Sequence, residues 1–175
     1  MRPRRLLARR DRSPHGKPLL AVDVDGVIVP HGEAITGPAR LAPVGGRMVP
    51  IAAEAGECLR ELARRFELLW ATGWEGRANL LAPLLGLPEL PHLRFGGAAR
   101  FGSADWKLAP LTERAAGRPL AWIDDSFDDA CRAWARERAE PTLLVDTESG
   151  VGLRRAHAER LLRWAAELEP SRRGA

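Results

Sequence analysis

The chain has 175 residues, 45% of them hydrophobic and 29% charged, proportions that fit one soluble globular domain with its own core. No apolar stretch approaches the roughly 18 residues of a spanning helix, and Met1 to Arg12 offer only Leu6, Leu7 and Ala8 as an apolar segment, too short for a secretory signal, so no membrane partner and a cytoplasmic location are expected. Of the formal net charge of +4, residues 1–12 carry +5 through six Arg against Asp11, which leaves −1 for the rest and argues against a basic surface spread over the domain.

A disordered Arg-rich tail is therefore expected over residues 1–16, a single domain over 17–169 and a short C-terminal tail over 170–175; nucleic acid contact through the leader is the lesser expectation. Residues 18–26 read Pro-Leu-Leu-Ala-Val-Asp-Val-Asp-Gly. Leu19 to Val22 are apolar on both faces, as a central parallel strand must be, and the carboxyl end of such a strand is where open α/β sheets bind ligands. Asp23 and Asp25, two residues apart in extended chain, project the same way, and Gly26 frees the backbone for a sharp turn. A calcium loop of the EF-hand type is disfavoured, because Val27, Ile28 and Val29 follow where further oxygen ligands would be needed.

Val27 to Val49, rich in Gly and Pro, predicts a flap-like hairpin or loop. Pro50 is expected to open a helix running to about Arg65, with Ala55, Cys58 or Leu59, Leu62 and Phe66 at helical spacing. A strand follows over 66–71, ended by Thr72 and Gly73, then a helix from Trp74 to Leu85 closed by Gly86 and Pro88. Leu93 to Phe95 predicts a short strand, and about Asp105 to Ala115 an amphipathic segment with Lys107 in its first turn. Leu120 to Ile123 is the next strand, ending in Asp124-Asp125-Ser126-Phe127-Asp128-Asp129. A helix, the strand Thr142 to Val145 and a last helix over about 153–168 complete the chain, the last expected to bury His157, Leu161, Trp164, Ala165 and Leu168. Cys58 and Cys131 are too few for a disulfide framework or thiolate cluster and read as buried small hydrophobes. Trp70, Trp122, Trp134 and Trp164 fall on core-facing positions.

Lysine is rare here: Lys17 and Lys107 are the only two among 27 basic residues. A compact ammonium holds one phosphate oxygen where a guanidinium forks across two, so an internal Lys107 suggests chemistry. Four features thus occur in chain order: Asp23 with Asp25, then Thr72, then Lys107, then Asp124 with Asp125. In that order, on strand ends, they resemble the four motifs of the haloacid dehalogenase superfamily over roughly residues 18–146.

The resemblance implies an α/β, three-layer Rossmann-like fold with a mainly parallel sheet of about five strands, helices on both faces and a flap hairpin after strand one. The intervals Gly26 to Thr72 and Thr72 to Lys107 leave no room for a sizeable cap domain. It further implies a Mg2+-dependent phosphomonoester hydrolase: Asp23 as nucleophile forming an aspartyl-phosphate, Asp25 as general acid and base, and Thr72, Gly73 and Lys107 holding phosphoryl oxygens. Asp23, the backbone carbonyl of Asp25, and Asp124 are the implied metal ligands, with Asp125 and Asp128 as support around them. Asp at the position of Asp25 favours phosphatase over dehalogenase or transport-ATPase chemistry, with phosphotransfer a further alternative.

The partner expected is a phosphorylated substrate, whether nucleotide, sugar phosphate, phosphoprotein or nucleic-acid end, and an open site would also suit closure by a second subunit in a homo-oligomer. Trp74, Glu75 and Arg77 could form a substrate wall; the alternative is local packing of Trp74 and a Glu75 to Arg77 surface pair. Two rival readings are a phosphoacceptor signalling domain, whose acid pair and acceptor Asp precede its Thr and Lys, and a catalytically idle domain that binds nucleic acid or protein through the basic leader.

Overall fold

The computed structural model describes residues 16–100 and 102–169. The expected tails fall outside the described residues except for Gly16. The domain is α/β. Four strands, β1 (Leu19–Val22), β4 (Glu67–Trp70), β5 (Leu120–Asp124) and β6 (Thr142–Asp146), form a parallel sheet in the order β4-β1-β5-β6. A separate antiparallel pair, β2 (Ala39–Val44) and β3 (Arg47–Ala52), follows β1. Among the described residues no helix is long and apolar enough to cross a membrane.

Alternation along the strands divides the core. Leu20, Val22, Leu68, Trp70, Ala121 and Ile123 face α1 (Ala55–Leu62), α2 (Ala82–Leu85) and α5 (Arg155–Glu167), while Leu19, Ala21, Leu69, Leu120 and Trp122 face α3 (Leu108–Arg114) and α4 (Asp129–Glu137). Successive strand residues point to opposite faces, so a run such as Leu-Leu-Ala-Val feeds both layers at once. The chain leaves β1 through α1 on one face and leaves β5 through α4 on the other. The crevice where connections diverge therefore lies between the carboxyl ends of β1 and β5, the position at which open α/β sheets bind ligands.

Pro50 lies in a strand, not at a helix start. It pairs with Leu41 in the two-stranded β2–β3 hairpin, where an N–H turned away from the partner strand is not needed by the ladder; α1 begins at Ala55 instead. The expected helix over Trp74 to Leu85 divides into a 3₁₀ segment, Glu75–Leu80, and the single-turn α2, which Gly86 closes in the left-handed conformation. The expected fifth strand shrinks to one bridge, Trp70 to His92, at the β4 edge. Within α5 the buried residues are Ala158, Leu161 and Ala165; His157, Trp164 and Leu168 stay partly exposed. Trp70, Trp122 and both cysteines are buried, while Trp134 packs against the core only partly covered.

The hairpin is anchored at its base by the loop after β6. His31 N–H donates to Ser149 O (2.8 Å), Thr36 and Gly37 N–H donate to Gly150 O (2.9 and 3.1 Å), and Leu153 N–H donates to Val27 O (2.7 Å). Gly152 sits at φ +78°, and a Cβ there would lie 2.7 Å from Val27 O, so only glycine lets the two segments approach this closely.

Candidate active site

Register places the acidic residues. Val22 aligns with Ile123, and Asp23 N–H donates to Ile123 O (3.1 Å), so Asp23 and Asp124 leave neighbouring strands side by side. Lys107 comes to them from the 3₁₀ segment Asp105–Lys107 that leads into α3. Its Nζ lies 2.9 Å from Asp23 Oδ2 and 2.6 Å from Asp124 Oδ2. All three side chains are buried. The remaining oxygens are also held: Asp23 Oδ1 accepts from Val24 N–H (2.7 Å) and Asp124 Oδ1 from Ser126 N–H (3.1 Å).

One ammonium does not neutralise this site. Burial alone would push Lys107 down, but Asp23 and Asp124 outweigh it and raise it above the ordinary lysine value. Burial pushes the Asp23 carboxyl up to about 7; Lys107 pulls it down and Asp124 drives it further up. Asp124 is raised for the same first reason, burial, again opposed by Lys107. Lys107 thus stays charged, and the carboxylates beside it lack positive charge.

Asp125 stands next to this pair. Asp23, Asp124 and Asp125 each offer a carboxylate oxygen, and those oxygens lie within 4.8 Å of one another. Hard oxygen donors at such spacing suit a divalent cation of the magnesium or calcium type, and its charge would meet the deficit just described. Asp125, expected only as support, therefore stands in the same group as Asp23 and Asp124. Its own carboxylate is oriented by three side chains: Ser126 Oγ–H (2.7 Å to Oδ1), Ser149 Oγ–H (2.6 Å to Oδ2) and His31 Nε2 (3.2 Å from Oδ2).

The turn after β1 is built around Asp125. Gly26 has φ +71°, and a Cβ on it would lie 2.0 Å from Asp125 Oδ2. Thr147 Oγ–H donates to Gly26 O (2.9 Å), tying that turn to the end of β6.

Asp25 is turned towards a different neighbour. Its Oδ2 accepts from the Trp74 indole Nε1–H at 2.9 Å, and its carboxylate is not in the three-oxygen group. Thr72, buried two residues past the end of β4, accepts at Oγ1 from Trp74 N–H (3.3 Å). Gly73 is exposed beside it. Glu75 does not pair with Arg77: its Oε1 accepts from Phe95 N–H (2.8 Å), holding a non-glycine residue at φ +48°. A side chain rarely adopts that backbone region without surrounding constraint, so the Thr72 to Glu75 corner is fixed at some cost in strain.

Asp128 sits apart from the carboxylate group. It caps α4, accepting from Cys131 N–H at 2.9 Å, and its other oxygen accepts from Ser103 Oγ–H at 2.6 Å; Ser103 and Cys131 together hold its carboxyl below the ordinary range. Asp129 lies in the first turn of α4. Sequence reasoning passed over His31, Ser149 and Thr147. Their only local signal is a polar residue in a Gly-rich loop, because each reaches the site from a segment distant in the chain.

No protein-family model matches the chain, and no curated protein matches it.

Proposed function

We propose that this protein is a magnesium-dependent phosphomonoester hydrolase of the haloacid dehalogenase type, acting through an aspartyl-phosphate. The observation that carries the reading is the buried Lys107 ammonium joining Asp23 and Asp124, with Asp125 completing a group of carboxylate oxygens within 4.8 Å. Phosphoryl transfer asks for little covalent chemistry and much positioning and charge neutralisation, and this site offers both.

Asp23, Asp124 and Asp125 would hold the cation, with the Asp25 backbone carbonyl as the further ligand the resemblance implies. When bound, magnesium supplies neutralisation of carboxylate and phosphoryl charge. A carboxylate oxygen of Asp23 attacks phosphorus, and the bond from phosphorus to the ester oxygen breaks. Asp25, oriented by the Trp74 indole, gives its proton to the departing oxygen. Asp25 then takes a proton from a water that attacks the aspartyl-phosphate, releasing inorganic phosphate and restoring Asp23. Lys107 and Thr72 hold phosphoryl oxygens through an ammonium and a hydroxyl donor.

The test is inorganic phosphate release from an aryl phosphate with magnesium. Asp23→Asn keeps the shape of the side chain and removes the nucleophile, so release should fall by about three orders of magnitude or more at unchanged circular dichroism, and a chelator should abolish wild-type release. Folded wild type that releases no phosphate from a broad phosphomonoester panel with magnesium ends this reading.

A further inference from the structure

An open cleft of about 640 Å³ runs between the β2–β3 hairpin and the 3₁₀ segment Glu75–Leu80. Two of its wall residues touch the carboxylate site directly. Trp74 donates to Asp25 at 2.9 Å, and His31 lies 3.2 Å from Asp125. The cleft therefore opens from the general acid outward, where a leaving group must lie.

Its walls are cationic and apolar together. Arg47 on β3 and Arg77 on the 3₁₀ segment line it and are exposed, and neither has a carboxylate partner among the described residues. Among the described residues no Asp or Glu lines the cleft, although the site it adjoins is acidic. Met48 and Leu80, two of the large apolar side chains left exposed on this domain, stand beside the arginines at 61% and 48% exposure. The volume lies within the range of small-molecule sites and far exceeds what a simple aryl group fills.

Resting on the hydrolase reading for the chemistry at Asp23, we propose that this cleft is a leaving-group subsite selecting phosphomonoesters that carry a second anionic group on an aromatic body. Arg47 and Arg77 take the second anion, since guanidinium forks match phosphate or carboxylate geometry. Trp74, Met48 and Leu80 cover the ring. The acidic site repels a second anion placed near Asp23, so a doubly anionic substrate is accepted only with its far charge held at the arginine end of the cleft.

The probe is a nucleoside 3′,5′-bisphosphate, compared with the corresponding nucleoside monophosphate, on the full chain with magnesium. Wild type should show kcat/KM for the bisphosphate at least tenfold above the monophosphate, and that ratio should fall to near one in the Arg47→Gln/Arg77→Gln variant. Calorimetric titration with the bisphosphate runs in parallel, with a loss of tenfold or more in affinity expected in the double variant. Hydrolysis with no preference for the bisphosphate, or a preference the double variant keeps, overturns the subsite and leaves the hydrolase reading standing. Arginine-dependent binding without any phosphate release keeps the subsite and removes the hydrolase reading. Absence of both binding and preference overturns the subsite.

Discussion

Lys107 meets Asp23 and Asp124 with every side chain no more than 9% exposed, whereas Arg132 meets Asp146 with both about half in water, at 2.6 Å. The distances are alike and the surroundings are not. Around Arg132, water screens the charges and would replace either partner at little cost. Around Lys107 there is no such substitute, so each charge depends on the others, and burial, more than contact, sets the ionisation of Asp23. Charge that is expensive to hold in place marks the candidate site, and a count of ion pairs would have missed it.

Lys107→Met gives the largest expected break of that contrast. It leaves Asp23 and Asp124 buried against each other, so unfolding free energy in urea should drop by about 3–5 kcal/mol. Divalent cations should restore part of the loss, because they supply the missing charge. A variant as stable as wild type would show that the ammonium is not needed to keep the carboxylates in place.

Gly26→Ala should cost less, about 1–3 kcal/mol, from a side chain forced to φ +71°. Its sharper signature is at Asp125, which the new Cβ would displace, so magnesium affinity measured by calorimetry should weaken together with stability. Unchanged affinity would separate Asp125 from the cation.

A titrating group outside the site extends the comparison. Burial, then Arg154 and Arg160, holds His157 below its ordinary value of 6.5, and its Nδ1 accepts from Arg154 N–H at 3.0 Å. The unfolded chain therefore takes up this proton first as pH falls, so the His157 contribution to folding stability should decline from about pH 6.5 downwards and level off below the folded value. Asp23, raised to about 7, acts in the opposite sense over the same range, so the His157 slope is read as the difference in thermal unfolding between wild type and His157→Gln across pH 8 to 5, wild type losing stability relative to the variant as pH falls. The smallest effect belongs to the surface: Arg132→Gln should change unfolding free energy by only about 0.2–1 kcal/mol, less in added salt.

The strand ends were legible because a central parallel strand must be apolar on both faces. Leu19 to Val22 and Leu120 to Ile123 therefore stand out, and the acids that follow them are placed almost automatically. Lys107 was legible through rarity. The hairpin was read only as a region, and Pro50 was misplaced, because a proline's fit depends on whether its missing N–H faces a partner or an open edge. The helix over Trp74 to Leu85 was read as longer and more regular than it is, since helical spacing of apolar residues does not distinguish α from 3₁₀ winding over one or two turns.

By itself the sequence determined the α/β class, the order of the four strands of the parallel sheet, and which acids end which of them, since these follow from local periodicity and from residue chemistry within a few positions. Only the tertiary structure decided that Asp125 stands in the same group as Asp23 and Asp124, that Trp74 holds Asp25, and that His31 and Ser149 orient Asp125. Those groupings join segments 24 to 102 residues apart, and their energies depend on the exclusion of water and on sub-ångström placement, which no local pattern encodes.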